Sequence, residues 1–299
     1  MPTLDQVLLQ RARNLRDDVR RAGSGEQAIN HVPTGFSAID KTYGGIRIGC
    51  ATELMAHTGD GKSAFARQVC EAAARSGVGV LWFCGEDPED ATAERYLADG
   101  TGITATEMGR LELNTDELAR VDQAAEGARD WARRVDVRFG ASDVEEVLAA
   151  VEGLTKVDGK PLRLVVLDYL QIFGATNSLE SDIAHLATRL NAYSGDRRLA
   201  SLLLSQVAND VLKRGRERYQ NGQDISGFTP GLGDTEWCKR AEKSTKAVWS
   251  LVRPGRWRRE MGEDAEDDYA ELHVKKANFG PTGWEKIGWN GPATRFSNL

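Results

Sequence analysis

No apolar run in this sequence approaches the roughly 20 residues that a helical membrane span needs. An integral helical membrane protein is therefore excluded. The start, "MPTLDQVLLQRARNLRDDVRRAG", lacks the apolar core and small-residue cleavage site of a secretory leader, so a cytoplasmic location is expected. Cysteine is scarce: Cys50, Cys70, Cys84 and Cys238 lie far apart without the close pairing of a metal site. Three of them sit in or beside apolar runs, as buried thiols do. An excess of positive charge is also missing. At a net charge of −6 the whole surface is unsuited to coating nucleic acid, although a local basic channel is allowed. No internal repeat is present.

What is there suits one large α/β domain with an appendage, or two small domains: 299 residues, 40% hydrophobic and 28% charged. Residues 3–22 place Leu4, Val7, Leu8, Ala12, Leu15 and Val19 at spacings of three and four, an amphipathic helix with a single apolar stripe. Ala22 to Gly35 is rich in Gly, Ser and Pro and reads as a linker, which divides the chain into an extension, residues 1–30, and a main domain, residues 31–299. Short apolar runs then alternate with helical patterns. "CATELMA", "VGVLWFC", "VDVRF", "LRLVVLD" and "LASLLLSQ" read as strands, and the stretches between them as helices, including a capped helix in "GEDPEDATAERYLADG". That alternation implies a mostly parallel central sheet flanked by helices. "LRLVVLD" is apolar throughout and needs both faces covered. Residues 213–235 read as a glycine-rich polar loop, "AVWSLVRP" as a further apolar stretch, "EMGEDAEDD" as an acidic connector, and "YAELHVKK" with "GWEKIGW" as a carboxyl-terminal β-hairpin.

The chemistry concentrates in "AHTGDGKSA", a phosphate-binding Walker A pattern with Ala56 at its first glycine. Such a loop offers His57, Thr58, Gly59, Asp60, Gly61, Lys62, Ser63 and Ala64 to a nucleotide. Backbone N–H groups of residues 58–62 can surround phosphate oxygens, the helix after them points its positive end at them, Lys62 adds charge, and the Ser63 hydroxyl can hold Mg²⁺. Asp168, at the carboxyl end of "LRLVVLD", is placed to hold the Mg²⁺ shell; the alternative is an Asp capping the next turn. Glu86, past another strand end, is the candidate base that polarises the attacking water, unless it and Asp87 merely cap the helix near Pro88. Gln206, ending "SLLLSQ", can sense a γ-phosphate or be a surface amide.

The segments "TGFSAIDKTYGGIRIGCATELMAHTGDGKS", "WFCGEDPEDATAERYLADGTGI", "LRLVVLDYLQIFG", "LLLSQVANDVLKR" and "VKKANFGPTGWEKIGW" succeed one another in the order of the ATPase domain of DnaB-type replicative helicases. The resemblance runs from about Pro33 to Trp289 and places the chain in the RecA-like superfamily of P-loop NTPases. It implies a helicase that hydrolyses ATP with Mg²⁺ between subunits of a homo-oligomeric ring, a hexamer in the family, and translocates on single-stranded DNA. A primase or loader is an implied partner. Carried over by position, Lys62 and Ser63 bind phosphate and Mg²⁺, Glu86 is the base, Asp168 the Walker B acid, Gln206 the sensor, and Lys276 the hairpin lysine that reaches a neighbour's γ-phosphate.

Three departures stand out. The family's K-x-R reads Lys276-Ala277-Asn278 here, so the arginine finger is missing from its expected place, and either Arg253 or Arg256 substitutes from the preceding strand or turnover is slow. Lys243 and Lys246 stand where acids are usual. The residues before the main domain give one amphipathic helix where the full-length helicases carry a separate helical domain; it resembles their linker helix and can equally pack on its own domain. For DNA, the candidates are Lys213, Arg214, Arg216 and Arg218 in "LKRGRERYQNGQ", with Lys239, Arg240 and Lys243, as cations that pair with phosphates, and Tyr219 as a stacking ring. Trp249, Trp257, Trp284 and Trp289 read as sheet and hairpin packing. The main expectation is a DnaB-type translocase; the alternatives are a KaiC-like or RadA-like ATPase that does not unwind DNA, or a noncatalytic ATP-dependent assembly factor.

Overall fold

In the computed structural model, which describes residues 3–23, 30–140, 143–174, 178–222, 228–235 and 239–299, the alternation becomes a layered α/β architecture. The amino-terminal helix α1 (Leu4–Gly23) is followed by β1 (His31–Val32), α2 (Ser37–Tyr43) and β2 (Ile46–Arg47). Next come β3 (Cys50–Ala56), α3 (Lys62–Arg75), β4 (Gly79–Cys84), α4 (Glu89–Thr101), α5 (Ala105–Gly109), α6 (Thr115–Ala132) and β5 (Val135–Phe139). The middle of the chain supplies α7 (Val144–Gly153), β6 (Lys156–Val157), β7 (Lys160–Asp168), α8 (Leu179–Arg197) and β8 (Ala200–Gln206). The last third adds α9 (Asn209–Gln220), α10 (Lys239–Ser244), β9 (Ala247–Val252), α11 (Pro254–Glu260), β10 (Tyr269–Ala277), β11 (Gly283–Asn290) and β12 (Arg295–Ser297).

The main sheet runs β12-β11-β10-β9-β3-β8-β7-β4-β5. From β9 to β5 its neighbours are parallel, and β10, β11 and β12 add an antiparallel end that contains the expected hairpin. Alternation along each parallel strand covers both faces. Leu164 and Val166 of β7, with Leu54, Trp82 and Leu202, pack against Phe65 and Val69 of α3. Val165 and Leu167, with Ala51, Phe83 and Leu203, pack against Val147 of α7 and Leu186 and Leu190 of α8. Strand register aligns the strand ends: Ala56 pairs with Gln206, and Cys84 with Asp168. Four strands therefore end on one edge, where open α/β sheets gather their ligands.

Elsewhere the structure differs from the reading of the sequence. Residues 209–220, part of which reads as loop, form helix α9, because Val211 and Gly215 are buried against a small cluster with Phe228 and Trp257. A Cβ at Gly215 would lie 3.0 Å from the Phe228 ring, so the missing side chain is what lets the ring close over the helix. This glycine is a packing contact and not a loop marker. Helix α11 and strand β12, which the sequence reading does not contain, are only 7 and 3 residues long. Helix α4 has Pro88 at its N-cap and no side-chain cap there, contrary to the capped start expected of it. Cys50, Cys70 and Cys84 are buried free thiols as expected, and Cys238 lies outside the described residues. Among the described residues no helix is long and apolar enough to cross a membrane. Helix α1 leaves Leu4, Leu8, Leu9, Leu15 and Val19 exposed.

Phe65 links the layers: fully buried, it stacks on Phe36 at 5.0 Å and meets Phe296 edge-on at 6.2 Å. Phe65→Ala is expected to lower unfolding free energy by about 3–5 kcal/mol, the usual loss for an aromatic deleted from a packed core, read from urea denaturation midpoints.

Candidate active site

Between β3 and α3 the chain turns through Gly59 (φ 85°) and Gly61 (φ 92°), conformations that a side chain would strain. A Cβ on Gly61 would also meet Phe296 at 2.6 Å. The turn delivers Lys62 and Ser63 as the first residues of α3, whose free N–H groups face the loop. Ser63 Oγ donates to Asp168 Oδ1 at 3.1 Å, and Lys62 Nζ lies 4.9 Å from the Tyr169 ring centre. Asp168 is buried at the end of β7 rather than capping a turn. Burial pushes its carboxyl up to about 6, against the pull of Lys62 and the Ser63 hydrogen bond; Glu86 and Asp87 add to the rise. A buried carboxylate short of positive charge, beside a hydroxyl, fits a hard divalent cation such as Mg²⁺ held through Ser63 and Asp168.

A cleft of about 430 Å³ opens over this loop, and its walls include His57, Thr58, Gly59, Gly61, Lys62, Ser63 and Ala64. Glu86 and Gln206 line the same cleft. Gln206 Nε2 donates to Thr58 Oγ1 at 2.6 Å, so it is tied to the phosphate-binding loop and not a free surface amide. Glu86 is exposed in the cleft, while Asp87 pairs with Arg95 from α4. The alternative of Glu86 and Asp87 as mere helix caps loses its basis. His57 is buried, its Nδ1 3.0 Å from the Thr58 carbonyl oxygen, and burial lowers its pKa, which keeps it neutral near pH 7.

Asp60 behaves differently from its neighbours in the loop. Its amide donates to the His57 carbonyl at 3.0 Å, and its buried carboxylate turns away from the cleft toward α11. There it accepts from Trp257 Nε1 at 2.9 Å and from Arg256 Nη1 at 2.8 Å. Burial raises it to about 6 despite those donors. Arg253 Nη1 donates to the Gly59 carbonyl at 2.9 Å, its Nε and Nη2 bond Asp267, and its guanidinium lies 4.1 Å over the Trp289 ring at the cleft wall. Both arginines are thus engaged within their own chain. Sequence reasoning does not reach these contacts. Their only signal there is an arginine run, Arg253 to Arg259, followed by the acids that pair with it.

Lys276 is not brought to the cleft: its Nζ donates to the carbonyl oxygens of Glu242 and Thr245, at 2.8 Å each, tying β10 to the segment of α10. Lys213, Arg214, Arg216 and Arg218 are exposed along α9, a helix and not the flexible loop expected. Arg214 pairs with Asp234, and the Arg218 guanidinium lies 5.3 Å over Phe228. Tyr219 is half-buried on the same helix, and nearby Glu263 raises the pKa of its hydroxyl. Lys243 is exposed; the side chains of Lys239 and Arg240 lie outside the described residues. Trp249, Trp257 and Trp289 are buried as packing residues, whereas Trp284 is exposed and stacks on His273.

Compared with known proteins, residues 31–298 match the family described as DnaB-like helicase C terminal domain. The chain belongs to this family. Replicative DNA helicase DnaB of Haemophilus influenzae is 24% identical over 301 residues, covering 94% of this chain and 58% of that protein. Replicative DNA helicase DnaC of Bacillus subtilis is 22% identical, covering 99% of this chain and 62% of that protein. The chain therefore spans about three fifths of the length of these relatives. Among solved structures, a chain described as an ATPase domain superposes with a TM-score of 0.80 at 18% identity over 100% of this chain and 99% of that one. A DnaB-like replicative helicase, in a structure describing its interactions with primase, gives 0.78 at 19% identity over 100% of this chain and 67% of that one. These likenesses establish the RecA-like fold of DnaB-type ATPase domains: a mostly parallel sheet flanked by helices with an antiparallel carboxyl-terminal hairpin.

The raised pKa of Asp168 has a signed consequence. Its value in the fold, about 6, exceeds the ordinary 3.8, so between these the native chain holds a proton that the unfolded chain has released. Stability then falls as pH rises through that window. Asp168→Asn removes the penalty: its melting temperature without nucleotide is expected to exceed wild type above about pH 7 and to converge with it below about pH 4.

Proposed function

We propose that the chain is a Mg²⁺-dependent ATPase that drives a DnaB-type helicase along single-stranded DNA. The observation that carries this reading is the shared edge of β3, β4, β7 and β8, where Lys62, Ser63, Glu86 and Gln206 line one cleft and Asp168 lies buried behind Ser63. Loop amides and Lys62 bind the β- and γ-phosphates, and Ser63 and Asp168 hold Mg²⁺, which when bound neutralises charge on the phosphates. Glu86 takes the proton of the attacking water. Gln206, bonded to Thr58, senses the γ-phosphate and lies one residue before the bridge from Val207 to Thr235, at the root of α9. Of the two candidate substitutes for the missing finger, Arg253 lines the cleft of its own chain and Arg256 does not, although each is held by partners within the chain.

The exposed cations of α9, with Lys239, Arg240 and Lys243, contact DNA phosphates, so affinity falls steeply with salt. The active form is a homo-oligomeric ring, hexameric as the resemblance implies, with ATP between subunits. Lys276 reaches a neighbour's γ-phosphate only after releasing the Glu242 and Thr245 carbonyls. The residue division 1–30 and 31–299, a cytoplasmic location, and a primase or loader as partner belong to the same reading.

Steady-state hydrolysis with Mg²⁺, alone and with single-stranded or duplex DNA, tests it. Selective stimulation by single strands is expected. Glu86→Gln is expected to lower kcat by about 10²–10⁴-fold with nucleotide affinity retained, and Lys62→Ala to abolish turnover. Activity unchanged in Lys62→Ala contradicts the reading.

A further inference from the structure

We propose that Trp257 is a positioning residue that couples the basic helix α9 to the phosphate-binding loop. Contacts run without a break between them. At one end, Trp257 Nε1 donates to the Asp60 carboxylate at 2.9 and 3.2 Å, between the two positive-φ glycines that shape the loop. At the other, the Trp257 ring meets Phe228 at a centroid distance of 5.8 Å. Phe228 lies over the notch at Gly215, where a Cβ would come within 3.0 Å of it, and beneath the Arg218 guanidinium at 5.3 Å. Trp257 is 3% exposed and packs in a cluster with Met55, Val207, Val211, Val248 and Val252, apart from the two main cores.

Packing alone would not need the indole N–H. A buried carboxylate in the middle of a glycine turn is held by that N–H and by Arg256, so a shift of the ring moves a hydrogen bond on which the loop conformation depends. Phe228 turns displacement of α9 into displacement of the ring, because close-packed rings transmit movement rather than absorb it. The loop, bent through Gly59 and Gly61, is the element whose arrangement such coupling would bias. Gln206 meets the loop at a different residue, Thr58, and by a different hydrogen bond. The part of the inference that assigns DNA to α9 rests on the function proposed above; the physical link between helix and loop does not.

Two variants separate the steps. Trp257→Phe keeps a ring but removes the donor to Asp60, and Phe228→Leu keeps that donor but breaks the ring contact. In the wild type, a Mg²⁺ complex of a non-hydrolysable ATP analogue is expected to change amide hydrogen exchange in α9. Both variants, folded by circular dichroism, should lose that response. With single-stranded DNA, stimulation of hydrolysis, about tenfold if the coupling is ordinary, should drop toward onefold in both, DNA affinity by fluorescence anisotropy changing less than about threefold. Phe228→Leu should leave the unstimulated rate as in wild type. An exchange response absent from the wild type, or equal in wild type and both variants, overturns the coupling, as does loss of DNA affinity in step with loss of stimulation. A wild type whose α9 responds to the analogue but whose hydrolysis ignores DNA upholds the coupling and contradicts the DNA assignment.

Discussion

Strand register is the constraint on which the rest of the molecule depends. Ala56 opposite Gln206 and Cys84 opposite Asp168, with Leu167 opposite Leu203 joining the two pairs, bring the ends of β3, β8, β4 and β7 to one edge, β3 and β8 running two residues further. A slip of one residue would turn Asp168 and its neighbours to the other face and bury apolar side chains where polar ones now stand. Both faces of β7 are packed, Leu164 and Val166 on one side and Val165 and Leu167 on the other, so the register is held by two cores at once. Chemistry at the edge depends on packing in the middle.

At that edge the fold tolerates two carboxyl groups that burial disfavours. Asp168 and Asp60 are each pushed up to about 6. Their environments differ in what is offered in return. Asp168 has a hydroxyl and a nearby ammonium, with room for a cation at the cleft. Asp60 has an indole and a guanidinium supplied by a helix from the far side of the loop. The first arrangement suits metal-assisted phosphate chemistry, and the second holds the loop in shape. Arg253 strengthens the grip through the Gly59 carbonyl, and its charge is matched by Asp267.

Much of this is legible in the sequence because it is written in local pattern. The apolar runs of β3, β4, β7 and β8, the glycine spacing of the loop, and acids or amides at strand ends each signal their place without long-range information. The long helices are readable from their periodicity for the same reason. Helix α9 is not, because Gly215 and the surrounding charges look like loop until Phe228, thirteen residues on, is seen to fill the notch. Nor is α11, whose hold on Asp60 joins residues nearly two hundred apart in the chain. The acidic connector gives no sign in the sequence of what its acids touch; Asp267 is a buried partner of Arg253 and Arg259. Pairings between distant segments leave little trace in a single sequence.

Equilibrium binding of a fluorescent ATP analogue tests the central claim most directly, because it reads the cleft without requiring turnover, DNA or ring assembly. With Mg²⁺ the account predicts saturable binding, tighter than without the ion and lost in Lys62→Ala. Binding of equal strength in wild type and Lys62→Ala, or indifferent to Mg²⁺, would contradict it.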